Sequence, residues 1–145
     1  MKRNVEELQK RRRTQYMRLT EFADATDQLA QALQRKDEIS AKLFIAMREE
    51  PLSQLSEIEE GIQKFLQKLP EDDARHLLGL LDEIPTQDEA SDVAAYTAKK
   101  NLTAEENALY ELSQQYHRLL QKILAQDRQI STGLYGKKSF YNKFR

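Results

Sequence analysis

The residues that could do chemistry in this chain are two histidines and several groups of carboxylates. His76 stands near Asp72 and Asp73, and His117 follows Tyr116. An imidazole beside carboxylates could bind a metal or transfer protons. Neither histidine has a second histidine at helical spacing, so a metal site would need distant ligands. We therefore expect both to be surface or partly buried helix residues.

The carboxylates give no stronger signal for catalysis. Glu49, Glu50, Glu59 and Glu60 are prominent, but nothing around them indicates the apolar pocket that would retune one for acid–base work. The segment 133–139 has glycines and lysines, but its spacing is wrong for a phosphate-binding loop and it follows a predicted helix. The sequence predicts no enzyme, cofactor, metal site or small-molecule substrate.

Positive charge is concentrated at the two ends of the chain. Residues 1–18 hold seven Lys/Arg against two Glu, and residues 134–145 hold four Lys/Arg and no acid. We predict a basic patch at Lys10, Arg11, Arg12, Arg13, Lys137 and Lys138. Cations interleaved with aromatic residues can bind single-stranded nucleic acid. A pI near 6.2 and an acidic body argue against a dedicated nucleic-acid binder, and a partner's acidic surface or an exposed peptide strand fits these residues better.

Composition indicates a helical protein with little core material. The chain has 145 residues, 39% hydrophobic and 32% charged, with four glycines, three prolines and no cysteine. Strand-rich folds need more turn residues, so an all-α fold is expected. The start of the chain lacks the apolar stretch of a secretion signal, and no apolar run approaches the ~20 residues that cross a bilayer. We expect a cytoplasmic protein with no membrane insertion.

The first third of the chain has a long heptad register. Alternating steps of three and four residues reach thirteen positions, eight of them apolar: Val5, Leu8, Arg12, Gln15, Leu19, Phe22, Thr26, Leu29, Leu33, Lys36, Ser40, Leu43 and Met47. Such spacing keeps one stripe of a helix against a partner helix. It predicts a helix over about 3–49, roughly 70 Å long at ~1.5 Å per residue. The polar members are expected to loosen the seam at its ends.

Prolines and a capping signature divide the rest of the chain. Pro51 either bends the first helix or starts a second one over 51–69, and continuity with a kink is favoured over a reversal. Pro70 starts a short helix over 71–84, and residues 87–101 read as a weak helix or loop. Thr103 and Glu106 form a capping box that starts a long helix over 104–132. Gly133 is a natural stop.

These elements predict one helical domain over residues 1–133 with a basic aromatic tail at 134–145. The two long terminal helices are expected to cover each other in an elongated antiparallel hairpin or bundle with coiled-coil-like packing. The tail, with four aromatics and four cations, would then lie near residues 10–13.

The apolar and charged pattern resembles one known family. The stretches 19–22, 29–37 and 47–52 (LTEF, LAQALQRKD and MREEPL) are similar to the long first helix of FlgN-type flagellar export chaperones, and Tyr141-Asn142-Lys143 is similar to their tyrosine-containing ends. The resemblance covers most of the chain in outline. The Arg/Lys cluster at 10–13 departs from the family pattern.

The resemblance implies a cytoplasmic chaperone that keeps hook-associated flagellar proteins soluble and delivers them to the export machinery. The last helix of the family engages the client. Carried onto this chain, the client-binding candidates are Leu112, Tyr116, Leu119, Ile123, Ile130, Tyr135, Phe140 and Tyr141. Two other readings stay open: a structural coiled-coil or adaptor protein that forms homo-oligomers through its long helices, and a nucleic-acid binder that uses the basic ends.

Overall fold

The computed structural model describes residues 1–82 and 101–130, which form five helices. They are α1 Lys2–Gln34, α2 Glu38–Met47, α3 Glu49–Gln67, α4 Glu71–Leu81 and α5 Ala104–Arg128. The described residues contain no β-strand, and the all-α prediction is confirmed. The chain divides into two compact units: unit 1 is Met1–Gln15 with Ile58–His117, and unit 2 is Tyr16–Glu57 with Arg118–Arg145.

The predicted helix over 3–49 is interrupted at residues 35–37. Lys36 adopts a left-handed conformation with φ 59°. Its N–H donates to the carbonyl of Leu33, and the N–H of Asp37 donates to the carbonyl of Ala32, which is the Schellman arrangement that ends a helix. The Asp37 side chain then accepts the N–H of Ser40 and caps α2. Hydrogen bonds from Ser40 hold the pKa of Asp37 below its ordinary value.

The reversal of the chain in unit 2 occurs at this interruption and not at Pro51. Ala41 packs in a cluster with Leu29 and Leu33 of α1. Further on, Arg48 lies over the Phe22 ring and Gln54 reaches Arg18. The contacted positions on α1 therefore run backwards as the chain advances through α2 and into α3. Pro51 lies in the first turn of α3, where a missing N–H costs no helical hydrogen bond.

The heptad positions from Val5 to Leu33 are all buried. In unit 1 these are Val5, Leu8, Arg12 and Gln15, and in unit 2 they are Leu19, Phe22, Thr26, Leu29 and Leu33. The later positions differ: Lys36, Leu43 and Met47 are exposed and Ser40 is half-buried. The stripe is inward-facing only as far as α1 extends.

The direction of the last helix requires a correction. In unit 1, Lys2 pairs with Glu105 at 3.9 Å and Arg12 bonds to Ser113 at 3.1 Å, so α1 and α5 run parallel. The antiparallel neighbour of α1 is α3, because Arg11 lies over Phe65 whereas Gln15 bonds to Glu59. The chain reverses at residues 35–37 in unit 2. In unit 1, α3 is the antiparallel neighbour of α1 that the sequence analysis expects the last helix to be. The elongated shape and coiled-coil packing stay predictions.

The capping box at the start of α5 is confirmed. The N–H of Glu106 donates to the Thr103 hydroxyl, and the N–H of Thr103 donates to the Glu106 carboxylate, both at 3.1 Å. Thr103 is therefore the N-cap, as its sequence position predicts. Most of the predicted weak segment, residues 87–100, lies outside the described residues, as does Gly133.

Candidate protein-binding surface

A buried polar cluster surrounds Arg12 in unit 1. The side chain is only 4% exposed, and its guanidinium donates to three acceptors. Nε donates to Ser113 Oγ at 3.1 Å, Nη1 to Gln15 Oε1 at 2.8 Å and Nη2 to the Leu81 carbonyl oxygen at 2.7 Å. The guanidinium also lies 4.6 Å from the centre of the Tyr116 ring. Arg12 and Gln15 therefore form hydrogen bonds in the interior of unit 1, whereas the sequence analysis predicts that these polar residues loosen the helix packing.

This cluster caps the C-terminal end of α4. His117 Nε2 donates to the same Leu81 carbonyl at 2.8 Å, and Gln114 Nε2 donates to the Asp82 carbonyl at 2.7 Å. The last carbonyls of a helix lack intrahelical partners and carry the negative end of the helix dipole. Donors from Arg12, Gln114 and His117 satisfy that end of α4, so the cluster has a structural explanation.

Burial sets the protonation behaviour of the cluster. Desolvation lowers the pKa of Arg12, although Tyr116, Glu59 and Asp82 act in the opposite direction. Burial raises the pKa of the Tyr116 hydroxyl, partly offset by the neighbouring guanidinium. Both shifts disfavour the charged forms of these groups.

His76 makes its closest polar contact with α5. Its Nε2 contacts Glu106 Oε2, the carboxylate that also closes the capping box. Asp72, the expected neighbour, lies 4.0 Å from Arg75. Burial alone would raise the pKa of Glu106, but hydrogen bonds from His76 and Thr103 outweigh it and the pKa is lowered. His76 is half-buried, and its role here is to hold α4 against α5.

The structure separates the four cations of the predicted N-terminal basic patch. Lys10 and Arg13 are exposed. Arg11 is half-buried, pairs with Glu7 at 3.1 Å and lies 5.6 Å from the centre of the Phe65 ring. Arg12 leaves the patch altogether, because consecutive helical residues point about 100° apart and it faces inward. Lys137 and Lys138 lie outside the described residues.

The client-binding candidates on the last helix face the interior of their own units. Tyr116, Ile123 and Ile130 are buried, and Leu112 and Leu119 are half-buried. Their helical spacing is explained by packing within this chain, so the buried members present no free surface. Tyr135, Phe140 and Tyr141 lie outside the described residues.

An exposed apolar face is found instead on α2 in unit 2. Ile39 is 85% exposed, Leu43 56% and Met47 49%. Their spacing of four residues places them along one side of the helix, and we call them the α2 stripe. Ala41, Phe44 and Ile45 face the other way, into the cluster with Leu29, Leu33 and Ile130.

The heptad register did not predict this exposed surface. Leu43 and Met47 were predicted as inward positions of the heptad register, and Ile39 fell outside it. The available signal was the composition of α2, EISAKLFIAM, which has more apolar residues than one buried face can use. That excess is typical of a helix with a second, exposed apolar face.

Residues 1–82 and 101–130 contain no group of three or more His, Asp or Glu side chains placed to hold a metal ion. Over the same ranges, every helix is too short or too polar to span a membrane.

No protein-family model, curated protein or solved structure matches this chain. The α2 stripe and the sequence resemblance are therefore the basis on which a function can be proposed.

Proposed function

We propose that this chain binds an apolar segment of another protein on the α2 stripe, as a chaperone of hook-associated flagellar proteins. The observation that carries the proposal is the exposure of Ile39, Leu43 and Met47 along one side of α2. Amphipathic helices of partner proteins bind such surfaces through side chains spaced by three or four residues. The resemblance to FlgN-type chaperones supplies the class of partner and the delivery to the export machinery.

The size of the stripe sets the strength of the interaction. Burying one Leu-sized side chain is worth ~1.5–3 kcal/mol, and these three are already partly covered, so together they contribute roughly 4 kcal/mol. Micromolar affinity needs about 8 kcal/mol. The client must therefore make additional contacts, and Leu52, exposed in the first turn of α3, is a candidate. A low binding affinity also suits a protein that has to release its client.

A binding measurement with a matched control tests the proposal. Ile39→Gln, Leu43→Gln and Met47→Gln are combined in the full chain, because glutamine preserves helix propensity and removes the apolar face. The control combines Met17→Gln and Leu124→Gln, which are exposed to a similar extent (52% and 44%) on α1 and α5. Circular dichroism verifies that both variants stay helical.

Binding is measured by titration with purified hook-associated proteins from the same genome. We expect the stripe variant to lose at least about tenfold in affinity, the equivalent of ~1.4 kcal/mol, and the control to bind like the parent chain. If the stripe variant binds as tightly as the parent, or if the parent binds none of these proteins, the proposal is wrong.

A second candidate is self-association through the same surface, as the structural coiled-coil reading expects. Light scattering on the parent and the stripe variant distinguishes it. A parent chain that dimerises with concentration, and a stripe variant that does not, would favour the oligomeric adaptor over the chaperone.

A further inference from the structure

The last described residue of the chain lies against the helix that carries the stripe. Ile130 is buried in the unit 2 cluster with Ala41, and Phe44 and Ile45 of α2 pack against that cluster. The chain therefore leaves the described part of unit 2 on the inner side of α2, with fifteen residues still to follow.

Those fifteen residues have the composition of a ligand for an apolar surface. Five of them are large and apolar or aromatic: Leu134, Tyr135, Phe140, Tyr141 and Phe144. Fully extended, fifteen residues reach about 50 Å at ~3.3–3.6 Å each. The ten residues of α2 span only about 15 Å at ~1.5 Å each. Phe140 follows Ile130 by ten residues, which reach roughly 33 Å when extended, so the tail is long enough to bring Phe140 and Tyr141 to any point of the stripe.

The modest size of the stripe favours an attached ligand over a free one. A stable interface between two chains needs ~800 Å² on each partner, far more than three partly covered side chains offer. A segment on a short tether binds at an effective concentration in the millimolar range, which compensates for weak contacts. Charge also favours the tail as the ligand, because the tail carries four cations. The exposed charged residues from the start of α2 to the start of α3 are three glutamates and one lysine: Glu38, Glu49, Glu50 and Lys42.

We propose that the α2 stripe is the binding site of the chain's own residues 134–145, which occupy it until a client displaces them. The inference rests on the proposed function in that it names the resident competitor at the same site. It makes client binding an exchange of one apolar ligand for another, so the free protein does not leave its stripe bare.

The absence of cysteine from the chain permits a direct test in the full-length protein. Leu43→Cys and Phe140→Cys are introduced together, and disulfide formation under a glutathione redox buffer is followed by mass spectrometry. The same tail cysteine paired with Met17→Cys measures how often the tail meets an exposed position outside the stripe. A third protein adds Ile39→Gln and Met47→Gln to the first pair, which preserves the tether and removes the surface.

We expect the pair at 43 and 140 to form an intramolecular disulfide at least about tenfold faster than the pair at 17 and 140, and the Gln substitutions to remove most of that advantage. Equal rates in all three proteins would overturn the proposal, because the tail would then have no preferred site. Disulfide-linked dimers whose rate rises with protein concentration would overturn it in favour of a second copy. The test uses no client, so its failure leaves client binding at the stripe intact, and failed client binding leaves this result intact.

Discussion

Nη2 of Arg12 donates a 2.7 Å hydrogen bond to the carbonyl oxygen of Leu81, which lies 69 residues further along the chain. The bond joins a residue inside α1 to the last residue of α4, and both are buried. A charged side chain so placed is stable only when its donors and the surrounding acceptors are satisfied together.

Replacement of this arginine should therefore be costly. We expect Arg12→Met to lower the free energy of unfolding by about 3 kcal/mol, because Ser113 and Gln15 lose a buried donor and Leu81 retains only His117. Arg12→Lys should also be destabilising, since one ammonium group cannot reproduce three contacts made by a planar fork. Urea denaturation measures both.

Arg13→Met is the matched control for this prediction. The side chain is exposed and one residue away on the same helix, so the change should stay within about 0.5 kcal/mol. Equal stabilities of the variants at 12 and 13 would mean that the buried cluster contributes no net free energy.

The ion pair between Arg48 and Asp127 should contribute measurable coupling in unit 2. Arg48 Nη2 lies 2.8 and 2.9 Å from the two carboxylate oxygens, and the guanidinium lies 4.4 Å from the centre of the Phe22 ring. Both side chains are largely buried, so screening by water is weak. A double-mutant cycle with Arg48→Met and Asp127→Asn should give about 2 kcal/mol of coupling.

The exposed pair Arg75–Glu71 provides the comparison. Its N···O distance of 2.9 Å is similar, but both side chains are more than 70% exposed. The same cycle there should give less than about 0.5 kcal/mol. Comparable coupling in the two pairs would show that burial does not strengthen the Arg48 interaction.

Glycine at position 36 should stabilise the protein. Lys36 is held at φ 59°, a conformation that costs an L-residue ~1–2 kcal/mol and costs glycine almost nothing. After the greater freedom of glycine in the unfolded chain is deducted, Lys36→Gly should raise the free energy of unfolding by up to about 1 kcal/mol. Thermal and urea unfolding report the change.

Gln31→Gly tests whether the effect belongs to the left-handed position. Gln31 is exposed within α1, where glycine should cost about 1 kcal/mol. A loss of stability at both positions would contradict the assigned conformation of Lys36.

Glu106 should make stability depend on pH in the acidic range. Its folded-state pKa lies below the unfolded value, so its contribution is fully present above the unfolded value of about 4.3 and is lost as pH falls through the folded-state pKa. Glu106→Gln should therefore reduce the loss of stability below about pH 4.3. Urea midpoints measured from neutral pH to pH 2 follow this slope.

Glu111→Gln is the corresponding control, because Glu111 is an exposed carboxylate on the same helix. We expect the pH profile of that variant to follow the parent chain. Identical profiles for the variants at 106 and 111 would mean that protonation of the Glu106 carboxylate is not linked to folding.

Local sequence patterns predicted much of this fold correctly. Steps of three and four residues located all nine buried heptad positions of α1, including the polar Arg12, Gln15 and Thr26. The period works for polar residues because it reflects the geometry of the helix and not the chemistry of the side chain. The capping box at Thr103 could also be predicted from the sequence, because both of its hydrogen bonds form within four residues.

The interruption at Lys36 had no such signal. No glycine or proline occurs between Gln34 and Glu38, and a lysine at a left-handed position is adopted only because the packing of α2 on α1 compensates for its strain. The heptad register, continued across this turn, predicts that Leu43 and Met47 face inward. The prediction is wrong because a non-helical turn changes both the direction of the chain and the side of the helix on which the next heptad positions lie.

Some features of this fold depend on contacts between residues close in sequence, and others depend on contacts between residues far apart in sequence. Helix class, helix starts and the inner face of α1 depend on contacts within a few residues, so they can be read from the order of the amino acids. Whether an apolar stripe is covered by its own chain or left free depends on neighbours distant in sequence: packing buries Tyr116, Ile123 and Ile130, and exposes Ile39. The candidate binding surface therefore emerged only once the helices were placed against one another.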